Sequence, residues 1–149
     1  MNDTAQDFWL VADIGGTQAR FGVAHAGAVR ATDVVALRCA DFASVEDAAL
    51  AYLSRQAEGS PPGRPSAVAL ALACAVDGDT VRMTNSPWTV SKAAVQAALG
   101  TRDVRFLNDF EALALAAPHL QPDDVARLGG GDFDARRPMA LRCTSDGPS

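Results

Sequence analysis

No apolar run in this chain approaches the roughly 20 residues that a membrane-spanning helix needs, and no block of lysine and arginine interrupts it. The net charge of −5 without a basic patch argues against nucleic acid or an anionic membrane as a main partner. Only three cysteines occur, Cys39, Cys74 and Cys143, an odd number without metal-ligand spacing, which suits a reducing compartment. The first residues, MNDTAQDF, are acidic and lack a positively charged stretch ahead of an apolar one, so they do not read as a signal peptide. These absences together give a cytoplasmic expectation. What is present is an ordinary globular composition, 48% apolar and 21% charged over 149 residues. A chain of that size buries about 68–70% of its unfolded surface and needs no covalent staples.

The most informative stretch is Phe8 to Val23, FWLVADIGGTQARFGV. Phe8 to Ile14 reads as a strand, because its apolar residues are continuous and end at a Gly-Gly break. Arg20 to Ala24 reads as a second strand, which makes the pair a hairpin with a glycine-rich tip. Adjacent glycines allow backbone N–H groups to approach a ligand with no Cβ in the way. Gly-Gly is equally a favoured hairpin turn that needs no function, and the turn alone leaves both readings open. No Lys follows the glycines, which excludes a P-loop, and no helix follows them, which excludes a dinucleotide fingerprint. A phosphate loop between two antiparallel strands points to the actin and hexokinase type of ATPase.

Along the rest of the chain, His25 to Ala28 reads as a solvated turn and Val29 to Leu37 as a third strand. Ser44 is expected to cap a helix running to about Gln56, with Val45, Ala48, Ala49, Tyr52 and Leu53 on one face. Glu58 to Pro65 is a proline-rich surface loop, and Ser66 to Val76 is apolar enough for a central parallel strand covered on both faces. Asp77-Gly78-Asp79 is expected to turn a short hairpin returning through Val81 to Met83, followed by the loop Thr84 to Trp88, with Trp88 in the core. Ser91 caps a helix closed by Gly100, Val104 to Leu107 is a strand, and a last helix starts near Asn108 and ends at Pro118. The pattern βββαβαβα is that of the ribonuclease-H-like α/β domain, a mixed sheet flanked by helices. Ligands of such sheets bind beyond the carboxyl ends of the strands, where Asp13 and Asp109 are both expected. Asn108 and Glu111 approximate a capping box, which accounts for them but does not require Asp109. An Asp at a strand end beside a helix N-terminus can serve as a general base toward a hydroxyl.

Four segments in this order resemble the bacterial glucokinase family: Val11 to Arg20, Ala73-Cys74-Ala75-Val76 with Gly78-Asp79, Met83-Thr84-Asn85 to Trp88, and Leu107 to Ala112. Arg137 to Leu141 fits the next strand of that family. Gln18 and Ala75 depart from its usual Asn and Pro. The resemblance implies ATP and Mg²⁺ as cofactors and glucose as substrate. It implies that Asp13, Gly15, Gly16 and Thr17 form a first phosphate loop, with Asp13 touching the water shell of Mg²⁺. It implies that Asn108 and Asp109 bind glucose hydroxyls, that Asp109 deprotonates the 6-hydroxyl, and that Asn85 borders the sugar.

After Leu141 the family continues into a second phosphate loop and further sugar ligands, whereas this chain reads Arg142 to Ser149. The expectation is therefore an ATPase-type domain over residues 1–118 and the start of a second over 119–149, inactive by itself. Family members are commonly dimers, through contacts expected outside this part. Two other readings stay open: a sugar-sensing regulator, which would carry a helix-turn-helix where seven residues precede Phe8, and a non-catalytic remnant.

Overall fold

The structure is a computed structural model that describes residues 7–57 and 63–126. The first five residues of the expected Glu58 to Pro65 loop, the expected strand Arg137 to Leu141 and the tail after it lie outside the described residues. The chain divides into two compact units, Met1–Asp109 and Phe110–Ser149, and each is taken by itself.

The first unit begins with an antiparallel meander, β1 (Trp9–Ile14), β2 (Gln18–Ala24) and β3 (Thr32–Arg38). A 3₁₀ turn at Cys39–Asp41 leads into α1 (Val45–Gln56), followed by β4 (Ala67–Leu72), β5 (Thr80–Arg82), β6 (Thr89–Ser91), α2 (Lys92–Leu99) and β7 (Asp103–Asn108). The main sheet has five strands in the order β3-β2-β1-β4-β7, and β5 and β6 form a separate pair. β1, β4 and β7 run parallel in a common register, so that Ile14, Leu72 and Asn108 form one row. Their carboxyl ends therefore share one rim of the sheet.

Alternation along each strand builds the core. Leu10, Ala12 and Ile14 of β1, Val68, Leu70 and Leu72 of β4, and Val104 and Phe106 of β7 are buried, and Val45, Ala48, Ala49, Tyr52 and Leu53 of α1 join them in one cluster. Burying one such large side chain contributes about 1.5–3 kcal/mol. Tyr52 stacks on Phe21 of β2 with ring centroids 5.7 Å apart, and its hydroxyl donates to the Asp33 carbonyl at 2.9 Å. Burial first, and the Asp33 charge second, push the Tyr52 phenol up to about 12. The caps are those expected: Ser44 Oγ accepts from the Asp47 N–H at 3.1 Å, and Gly100 closes α2 in the left-handed region, with φ of 68°.

Four expectations are corrected. β3 starts at Thr32 rather than Val29. β4 ends at Leu72 rather than Val76, because the Cys74 N–H donates to the Leu72 carbonyl at 2.8 Å and a three-residue turn takes the chain off the sheet. Only one face of β4 is fully buried among the described residues, the alanines Ala67, Ala69 and Ala71 being half-buried. Finally, Val81 to Met83 does not return along β4. β5 pairs instead with β6, which puts the buried Val81 and Val90 opposite each other.

The second unit takes up α3 (Asp109–Ala116) after its first residue. Pro118 stands inside a 3₁₀ turn, Ala117–His119, directly after the helix, as its missing N–H requires. A further turn, Pro122–Asp124, is held by the Asp124 carboxylate accepting from the Gln121 N–H at 2.8 Å. Leu113, Leu115 and Leu120 are exposed.

Candidate active site

The loop between β1 and β2 is a tight reversal. The Gly15 N–H donates to the Gln18 carbonyl at 2.9 Å, leaving Gly16 and Thr17 at the tip. Neither glycine has a positive φ. The demand at Gly16 is one of space: a Cβ there would come within 2.7 Å of Asn85 Cβ and 2.8 Å of the Asn85 carbonyl oxygen. Contacts that short displace something, and here the obstacle includes backbone. The glycine loop and the Asn85 segment, far apart in the chain, are thus packed one on the other.

The Asn85 segment is itself a closed loop. The Met83 N–H donates to the Trp88 carbonyl at 3.1 Å, and Ser86 Oγ accepts from the Trp88 N–H at 3.3 Å. Trp88 is buried, and its indole N–H donates to the Phe42 carbonyl at 3.2 Å. The expectation of a core tryptophan is met, with its one polar group satisfied.

Asp13 lies near the carboxyl end of β1, opposite Arg20 of β2. Arg20 Nη1 stands 3.4 Å from Asp13 Oδ2, with both side chains more than half exposed. Reading the motif residue by residue missed this pair. The signal was available: a tight turn that pairs Ile14 with Ala19 necessarily pairs Asp13 with Arg20.

Asn108 ends β7, and Asp109 opens α3 directly beyond it. Asn108 Nδ2 donates to the Cys74 carbonyl at 2.8 Å, which ties the end of β7 to the turn after β4. The Cys74 thiol lies 3.6 Å from Met83 Sδ. Burial, and then the Asp109 charge, push that thiol up, so Asp109 acts electrostatically on Cys74. The predicted residues are therefore linked in series: Gly16 to Asn85, through Met83 to Cys74, and from Cys74 to Asn108. Asp13 and Asp109 share the rim without meeting, since β4 separates β1 from β7 and two strand spacings span about 10 Å.

Among the described residues no three His, Cys, Asp or Glu side chains cluster as a metal cage. A lone carboxylate such as Asp13 fits Mg²⁺, which keeps most of its waters and is held by one or two carboxylates together with substrate phosphates.

The five-stranded mixed sheet, with its glycine hairpin and two carboxylates at the parallel rim, shares its fold with solved sugar kinases, among them a ROK hexokinase from Thermus thermophilus at a TM-score of 0.55 and 22% identity. The sequence profile of the family described as Glucokinase matches residues 10–145, and the chain belongs to the glucokinase family. It is 42% identical to the glucokinase of Paramagnetospirillum magneticum over 132 residues, 89% of this chain and 40% of that one. It is 39% identical to the glucokinase of Helicobacter pylori, over 89% of this chain and 39% of that one. The crystal structure of a glucokinase from an Antarctic psychrotroph superposes with a TM-score of 0.72 at 32% identity, covering 87% of this chain and 40% of that one. A ROK family glucokinase from Streptomyces griseus, solved in complex with glucose and AMPPNP, shares the fold at a TM-score of 0.52 and 24% identity. The chain spans about 40% of the length of the curated relatives it matches.

Proposed function

We propose that this chain carries the phosphate loop and the sugar rim of an ATP-dependent kinase that converts D-glucose to glucose 6-phosphate in the cytoplasm, as the first step of glycolysis. One observation carries the reading: Gly16 of the glycine loop is packed directly against Asn85. A phosphate-binding tip and a sugar-bordering loop in van der Waals contact suit a transfer between their two ligands. In this reading the N–H groups of Gly16 and Thr17 and the Thr17 hydroxyl cradle ATP phosphates, while Gly15 N–H closes the turn beneath them on the Gln18 carbonyl. Asp13 holds Mg²⁺ through water, with Arg20 beside it as a further positive charge facing the phosphates. When bound, Mg²⁺ neutralises charge on the transferring phosphoryl group.

Asn85 and Asn108 orient sugar hydroxyls, and the hydrogen bond from the Asn108 side-chain amide to the Cys74 carbonyl fixes the rim on which they stand. Asp109 takes the proton of the 6-hydroxyl as that oxygen bonds to the terminal phosphorus of ATP, and the bond from this phosphorus to the bridging oxygen breaks to release ADP. Catalysis of this type is mainly positioning and charge stabilisation. The division into an ATPase-type domain over 1–118 and the start of a second domain belongs to the same reading, as does a dimer for a family-length chain.

Titration calorimetry of this chain with D-glucose and with MgATP, separately, tests the proposal. Binding of each is expected. Asp109→Ala should weaken glucose about ten- to a hundredfold, the worth of one charge-assisted hydrogen bond, and leave MgATP unchanged. Binding of neither ligand by the folded chain would overturn the proposal in favour of a non-catalytic remnant.

A further inference from the structure

Cys39 is almost fully buried at the end of β3, outside every segment that marks the family, and it touches the glycine loop twice. Its N–H donates to the Thr17 carbonyl at 2.9 Å, and its thiol donates to the Gly15 carbonyl at 3.7 Å. Its own carbonyl accepts from the Phe42 N–H at 3.2 Å. The Phe42 carbonyl in turn accepts from the Trp88 indole at 3.2 Å, and Trp88 closes the loop that carries Asn85. Asn85 then returns to Gly16. These contacts form a closed ring: glycine loop, Cys39, Phe42, Trp88, Asn85 and back to the glycine loop.

From this ring we infer that the Cys39–Phe42 turn is a shared brace coupling the phosphate loop to the Asn85 loop, with Cys39 and Trp88 as its positioning residues. The physical case rests on geometry. Without the brace the Gly16–Asn85 contact is a point about which each loop could pivot. A second connection, made of directional hydrogen bonds anchored on the buried Cys39 and Trp88, removes that freedom and sets the distance between the two ligands. Neither Cys39 nor Trp88 touches the reacting atoms. Their effect on transfer is through loop position, and this functional consequence rests on the kinase reading above.

Amide hydrogen exchange in the ligand-free chain tests the coupling without any ligand. The reporters are the Gly15 and Cys39 amides on one side and the Met83 and Trp88 amides on the other, with Leu70 in the core as a control for global opening. Trp88→Phe keeps the ring and deletes the N–H donor. It should speed exchange at Gly15 and Cys39 by several-fold, up to about tenfold, the worth of one net hydrogen bond, while Leu70 stays unchanged. Cys39→Ala should do the reverse, speeding Met83 and Trp88, and Cys39→Ser, which keeps a donor, should recover part of the effect. Trp88→Phe opens the ring, whereas Cys39→Ala keeps the backbone bonds of residue 39 and only loosens it, so the double variant should exceed the Trp88→Phe effect by little. Effects confined to each variant's own loop, or effects that simply add as independent sites do, would overturn the brace. Adding MgATP or glucose separates this inference from the kinase reading. If neither ligand binds but exchange is coupled, the brace stands and the kinase reading falls.

Discussion

The two rim carboxylates occupy different environments, and the difference suits the proposal that one serves a metal and the other a proton. Asp13 projects from a strand near the end of β1, more than half exposed, and faces Arg20 across the hairpin. Asp109 stands at a strand-to-helix junction, half-buried, close enough to Cys74 to raise its thiol. An exposed carboxylate beside a cation retains its water and suits a hydrated ion. A half-buried one at a fixed junction suits a group that must meet a hydroxyl in one orientation. Exchanging the roles would waste both settings.

The largest expected effect breaks this comparison most directly. In a chain extended to the length of its glucokinase relatives, Asp109→Asn should lower kcat by about 10²–10⁴, the typical contribution of a general base, with little change in the KM for MgATP. Asp13→Asn should instead raise the KM for MgATP and its Mg²⁺ requirement. Steady-state assays with each substrate varied in turn separate the two, and equal kcat losses without a KM split would remove the distinction.

Next in size is the link between the two ends of the site. Gly16→Ala places a methyl 2.7 Å from Asn85 Cβ and 2.8 Å from its carbonyl oxygen, which forces the loops apart. Overpacking of this kind costs about 1–3 kcal/mol, measurable by urea denaturation. Gly78→Ala is the matched control, since a Cβ there meets nothing within 4 Å. Equal stabilities for the two variants would show that the loops are not in contact.

That contact also marks how far the sequence could be read. Local features were legible: the break at Gly15-Gly16, the Ser44 cap and the Gly100 stop depend on residues within a turn of one another. Both carboxylates were placed at the rim because their strands end where apolar runs end. The Asn85 contact was not legible, because Gly16 adopts a backbone conformation open to other residues and its need for a bare Cα comes from a distant loop. The pairing of β5 with β6 was hidden for a similar reason. Three-residue strands carry almost no periodicity, and the anchoring of Trp88 on Phe42 is a tertiary event. Cys39 drew no notice beyond its compartment, since nothing local marks a residue that acts through Gly15 and Thr17.

A smaller effect reads the half-buried environment of Asp109 directly. Burial is the larger cause that raises the Cys74 thiol, and the Asp109 charge is the second. Neutralising Asp109 as Asn removes only the second. The thiolate becomes easier to form, so the pH profile of Cys74 alkylation should move toward lower pH, yet stay above that of an ordinary cysteine. Asp13→Asn should leave the profile where it is. Mass spectrometry can follow Cys74 separately from Cys39 and Cys143, and identical profiles in all three proteins would place Asp109 outside the reach of Cys74.

The smallest expected effect lies on the exposed side. The Arg20–Asp13 pair has a 3.4 Å contact, and both side chains are more than half open to water. Exposed pairs of this kind contribute about 0.2–1 kcal/mol, less as salt rises. Arg20→Ala should therefore move the urea midpoint only slightly, and not at all in high salt. Its consequence should appear in MgATP affinity, because it removes a cation from the side of the loop that meets the phosphates. If Arg20→Ala instead destabilised the fold as much as Gly16→Ala while leaving MgATP binding intact, the pair would be a structural tie. Asp13 would then be less exposed in its energetics than in its geometry, and its contrast with Asp109 would narrow to the helix junction alone.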